Sequence, residues 1–118
     1  MPAALNVVAE LPQFLRDARA AGLSEEERNA IVDSIAANPL QGDEVRGSGG
    51  VRKVRFAGRG KGKSGGYRVM TAYFGAHVPV YLVALLSKGE RANFSAAEIA
   101  GFKAMTTEIG NSWRRRNR

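Results

Sequence analysis

Between Val51 and Arg68 the chain carries seven basic side chains and no acidic one: Arg52, Lys53, Arg55, Arg59, Lys61, Lys63 and Arg68. Such a run faces a polyanion, and nucleic acid is the commonest one. It also holds what RNA cleavage needs, because the 2′-hydroxyl of RNA is an internal nucleophile and no metal is required. The protein has to align that hydroxyl with the phosphate, take its proton, neutralise the charge growing on phosphorus and protonate the leaving 5′-oxygen. Guanidinium and ammonium groups supply the charge. A lysine crowded by other cations gives up its proton more readily and can serve as base. Histidine is therefore dispensable, and the single His77, in "GAHVP", reads as an exposed turn residue. The absence of cysteine excludes disulfides, thiolate chemistry and the usual structural zinc sites. One histidine excludes a multi-histidine metal site and leaves little scope for a Ser-His triad. No metal and no cofactor are expected.

Within the run, "AGRGKGKS" (residues 57–64) satisfies a relaxed phosphate-loop spacing. A nucleotide-binding loop must open a helix whose N–H groups meet the phosphates. Here Gly65, Gly66 and the strand-like "YRVMT" follow, and no aspartate occurs after Asp43 to hold Mg²⁺. The stretch reads instead as a long hairpin loop carrying Arg59, Lys61 and Lys63, with glycines that let the backbone approach a ligand.

The elements around this loop follow from patterning. "LNVVA" (5–9) is a short first strand. Pro12 suits the first turn of a helix that stops at Gly22. Ser24 and Glu27 form a capping box for a second helix, which ends at Asn38-Pro39, so the two helices are expected as a hairpin. After a turn-rich connector (40–50), "VRKVRF" (51–56), "YRVMTAYF" (67–74) and "VYLVALL" (80–86) read as three strands of an antiparallel meander. The third is apolar throughout, as a covered central strand would be. Ser95 and Glu98 form a second capping box. Ile99, Phe102, Met105 (or Thr106), Ile109 and Trp113 follow at helical spacing as a core stripe. The end of the chain, about residues 112–118 with "WRRRNR" at 113–118, is expected as a frayed basic tail. The fold class is α+β: one domain over 1–118, with the helical hairpin and the C-terminal helix packed on a small antiparallel sheet of mainly three to four strands.

Charge is divided along this order. Residues 1–50 carry 4 basic and 8 acidic side chains, and residues 51–118 carry 14 and 3, for an overall +7. Alternation puts Lys53 and Arg55 on one face of their strand. Arg68 opens the neighbouring strand and Lys88 follows the third. One sheet surface can thus gather Lys53, Arg55, Arg68 and Lys88, rimmed by the loop cations. The plainer reading is a solvated face that protects sheet edges, but such a face usually intersperses acids. Arg52, Arg59, Lys61 and Lys63 are candidate RNA contacts beside the four candidate catalytic residues. No run of apolar residues is long enough to span a membrane, and no signal peptide is visible, so a cytoplasmic protein is the default.

"NPLQGDEVRGSGGVRKVRFAGRGKGKSGGYRVMTAYF" followed by "YLVALLSKGE" resembles the RelE superfamily of bacterial toxins, most closely its HigB branch. The resemblance covers about residues 5–105. It implies a ribosome-dependent endoribonuclease that cuts mRNA in the A site and halts translation. It also implies an antitoxin partner, in this branch a HigA-like helix-turn-helix protein through which alone the operator DNA is bound. By the same resemblance Lys53 and Arg55 match the two basic positions before the loop, Arg68 the phosphate-contacting arginine, and Lys88 the lysine after the last strand. Gly89 stands where many members have arginine, with Arg91 as the candidate replacement. Phe94 and Ser95 lie near where several members have a stacking or proton-transferring tyrosine, and Phe94 retains the capacity to stack. Leu86 occupies another position that is often tyrosine. Two alternatives stand beside this reading: a ParE-like toxin of the same fold acting on gyrase, and a non-catalytic RNA- or DNA-binding domain.

Overall fold

In the computed structural model the described residues are 6–57, 66–87 and 94–116. Their order is β1 (Val8–Glu10), α1 (Pro12–Ala20), α2 (Glu25–Ala37), β2 (Asp43–Glu44), β3 (Arg52–Phe56), β4 (Tyr67–Ala72), β5 (Val80–Ser87) and α3 (Ala96–Arg116). The strands form one sheet in the order β1-β5-β4-β3-β2.

The helix boundaries are set by the chemistry of their ends. Pro12 opens α1, and Phe14 and Ala18, four apart, are its buried residues. At its far end Gly22 takes a φ of 75°. The Gly22 N–H then reaches the Arg19 carbonyl at 3.1 Å and the Leu23 N–H the Ala18 carbonyl at 3.0 Å, the paired bonds of a Schellman stop. Ser24 and Glu27 cap α2 reciprocally, and three glutamates occupy the positive end of its dipole.

Both helices cover one face of the sheet, where Phe14, Ile31 and Ile35 meet Val54, Val69, Val80, Leu82 and Leu85. The opposite face holds Val51, Met70, Ala72, Val83 and Ala84 beneath Phe102 and Met105 of α3. The unbroken apolar sequence of β5 follows from this double coverage. A bulge assists: Met70 pairs Ala84 but Thr71 pairs Leu82, leaving Val83 as the extra residue. The side-chain phase of β5 therefore switches, and Leu82 and Leu85 reach one core while Val83 and Ala84 reach the other.

Three expectations change. The sheet has five strands and is mixed, because β1 pairs in parallel with β5. A further strand, β2, arises in the connector, where two residues show no period to read. Its pairing to β3 depends on Gly42, at φ 87°, since a Cβ there would collide with the Lys53 carbonyl. Finally, "WRRR" does not fray: α3 continues to Arg116, with the Trp113 indole N–H donating to the Tyr81 hydroxyl at 2.8 Å. The 46–51 loop braces α3 midway. Ser48 hydroxyl donates to the Val45 carbonyl at 2.6 Å and accepts from Val51 N–H at 3.0 Å, and Thr106 lies over Gly49.

β1 ends at Glu10, so β5 beyond Leu82 has no strand on that side. A carboxylate from α1 substitutes for one: Asp17 Oδ2 accepts the Leu85 backbone N–H at 2.9 Å.

Candidate nucleic-acid interface

The β3–β4 register decides which cations meet. Arg55 pairs with Arg68 and Lys53 with Met70. Directly opposed residues of an antiparallel pair lie about 4.5–5.5 Å apart at Cα and project to the same face. Met70 points into the core under α3. Lys53, Arg55 and Arg68 therefore occupy the α3 face of the sheet, at the end where β3 finishes and β4 begins. Two arginines side by side cost stability, and an anion between them would remove that cost. Arg55 is exposed, Lys53 half-buried, and Arg68 half-buried with its Nε withdrawn from solvent. Asp43 of β2 is the register partner of Lys53 on its outer side.

Arg52 is placed otherwise. It shares its parity with Val54 and Phe56, toward α1 and α2, and its guanidinium Nη1 donates to the Gly42 carbonyl at 3.1 Å. It ties the β2 edge to β3 on the sheet face opposite Lys53 and Arg55. Phe94 is also committed to packing: its ring meets Phe102 edge-on, with centroids 5.1 Å apart at 74°. It lines a cleft of about 290 Å³ between α1, β5 and α3, together with Leu86, the cross-strand partner of Arg68. Lys88, Arg59, Lys61, Lys63 and Arg91 lie outside the described residues. The chain enters that last segment from Ser87, which pairs with Tyr67. His77 is exposed in the turn after Gly75, as expected.

Tyr67 is a participant that patterning alone does not single out. It precedes Arg68 and faces the other way, into a small cleft with Ile31, Phe56, Glu26 and Glu27. Its hydroxyl lies 3.5 Å from Glu27 Oε2. Burial, then the Glu27 charge and the hydrogen bond to it, hold its pKa above the ordinary tyrosine value. Tyr67 thus links the start of β4 to α2 and stays a neutral phenol beneath the cationic face. A tyrosine opening a strand, 40 residues from a capping glutamate, carries no sequence signal for that contact.

A family model described as "RelE toxin of RelE / RelB toxin-antitoxin system" matches residues 9–115, nearly the whole chain. Among solved structures, the free state of an Escherichia coli toxin RelE bearing two arginine-to-alanine substitutions is similar at a TM-score of 0.54. The two share 17% identity over 86% of this chain and 96% of that one, a likeness of fold. The five-stranded mixed sheet with its three helices is this common fold. Among the described residues no helix is long and apolar enough to cross a membrane. The chain belongs to the RelE toxin family, the toxin half of a toxin–antitoxin system, whose activity is ribosome-dependent RNA cleavage.

Proposed function

We propose that the protein is a HigB-like member of the family that cleaves mRNA in the ribosomal A site by attack of a 2′-hydroxyl on the adjacent phosphate. The observation that carries this reading is the Arg55–Arg68 pair beside Lys53 on one sheet face. Arg55 and Arg68 hold the scissile phosphate and offset the charge that builds on its oxygens. Lys53 takes the proton from the 2′-oxygen. The new bond joins that oxygen to phosphorus and the bond to the 5′-oxygen breaks, giving a 2′,3′-cyclic phosphate and a 5′-hydroxyl that collects a proton. Lys88 joins the phosphate site, and Arg59, Lys61, Lys63 and Arg91 contact the RNA backbone around it. No metal or cofactor takes part in this scheme. The antitoxin is a HigA-like helix-turn-helix protein that carries the pair to its operator, and the toxin acts in the cytoplasm.

The test is an mRNA programmed on purified ribosomes, with and without toxin, read by primer extension and by end-group chemistry. Cleavage that needs the ribosome and leaves a cyclic phosphate is the expected result. Equal cleavage of free RNA, or none with inhibition of gyrase instead, would overturn the reading.

A further inference from the structure

A second cationic surface lies at the far end of α3. Arg114, Arg115 and Arg116 occupy its last turn, and all three are exposed. They stand on an aromatic base. Trp113 is fixed by its 2.8 Å hydrogen bond to Tyr81, and Tyr81 meets Phe74 edge-on at 6.0 Å and 78°. The Arg116 guanidinium sits 5.1 Å over the Trp113 ring, and Arg114 bonds to Asn111. Gly110 is buried where Phe74 and Arg114 close in: a Cβ there would lie 3.7 and 3.5 Å from them. Among the described residues the acid paired with this turn is Glu108, 3.7 Å from Arg115 with both side chains largely exposed.

A helix C-terminus gains from one or two cations in its last turn. Three consecutive arginines exceed that need. At 100° per residue they spread around the helix end, away from any single neighbour. Stacking on tryptophan fixes a guanidinium while leaving its edge free to donate, which suits a phosphate backbone. The position matters as much. Phe74 lies on the same sheet face as Arg68 but six residues along, about 20 Å away. The 21 residues of α3 span about 31 Å. The helix therefore lies across one face with cations beyond each end.

We propose that the Arg114–Arg116 turn is a second RNA-backbone contact that anchors the toxin on ribosomal RNA while the Lys53/Arg55/Arg68 face works on the message. The ribosomal destination rests on the function proposed above; the RNA contact itself does not. Each neutralised phosphate contributes about 0.7–0.9 to the slope of log affinity against log salt. Three contacts contribute about 2–2.7, so between 50 and 200 mM salt the native protein should lose about 20- to 40-fold more affinity than a variant lacking them.

The experiment compares the native chain with the triple variant Arg114→Gln/Arg115→Gln/Arg116→Gln, which keeps helix-forming residues. Binding to ribosomes and to a duplex fragment of ribosomal RNA is titrated across that salt range. A shallower slope for the variant on both targets is expected. Arg→Lys at the three positions should restore most of the slope, and Glu108→Gln, which releases Arg115, should steepen it. Equal slopes for the native and Gln variants overturn the proposal. So does a loss confined to antitoxin binding, which would assign the patch to an acidic protein segment. If the native protein cuts no mRNA on ribosomes but the slopes on RNA still differ, the mechanism above fails and the contact stands.

Discussion

Replacing Arg68 with alanine separates activity from stability, and the structure sets the size of both effects. The side chain stands opposite Arg55 on the cationic face, half-buried, with no role in either hydrophobic core. Removing one fixed donor from a developing oxyanion costs about 10²–10³ in rate, or about 2.7–4 kcal/mol. Two of the terms that act on folding oppose each other. Loss of the Arg55–Arg68 repulsion stabilises by a fraction of about 1 kcal/mol, reduced because Arg55 is exposed and screened. Loss of the packed stem acts in the other direction by a similar amount. The expected outcome is a 10²- to 10³-fold slower cleavage on programmed ribosomes, with an unfolding free energy within about 1 kcal/mol of the native value. Single-turnover cleavage and urea unfolding measure the two. Arg68→Lys, which keeps charge but not the planar fork, should fall between. Cleavage within about threefold of native would refute the assignment, since it lies far below the loss expected for one lost donor. A variant that unfolds would show instead that Arg68 holds the sheet together.

Three further outcomes follow from the packing. Asp17→Ala leaves the Leu85 N–H without its 2.9 Å acceptor and should cost about 1–3 kcal/mol in urea unfolding. Gly49→Ala places a Cβ 2.5 Å from Thr106 Oγ1 at a φ of 76° and should cost at least about 1–2 kcal/mol, with loosening of α3 visible in hydrogen exchange. Tyr67→Phe concerns alkaline pH. The folded state raises the Tyr67 pKa above 10.0, so its contribution is fully present below that pH and is lost as pH rises through the folded value. The phenylalanine variant should show a shallower fall in stability above pH 10, and identical falls would refute the raised Tyr67 pKa that burial and Glu27 produce.

Much of this architecture is legible in the residues. Ser24 with Glu27, Ser95 with Glu98, Pro12 and Gly22 mark helix ends by local hydrogen-bond chemistry, and the structure uses each of them. The all-apolar β5 announces its double coverage. Alternation likewise groups Lys53 with Arg55 and, by the same parity, sends Arg52 to the other face. What escapes is set by contacts distant in sequence. The parallel pairing of β1, the two-residue β2 and the bulge at Val83 leave no periodic trace. That Arg68 meets Arg55, rather than a neighbour two residues away, depends on a register fixed across the intervening loop. The helical continuation through Arg116 depends on Tyr81, 32 residues from Trp113, supplying the indole's acceptor.

The carboxylate of Asp17 also determines how this sheet meets other chains. Unpaired N–H and C=O groups along a strand invite another strand to add on. Past Leu82 that invitation is withdrawn on one side of β5, where α1 lies over the strand and Asp17 occupies the Leu85 N–H. On the opposite border β2 offers two residues, both acidic and exposed. What remains at the borders is the three residues of β1 and the two of β2, little length for edge-to-edge polymerisation. An antitoxin or a ribosome then has to recognise the toxin through its faces, helices and loops.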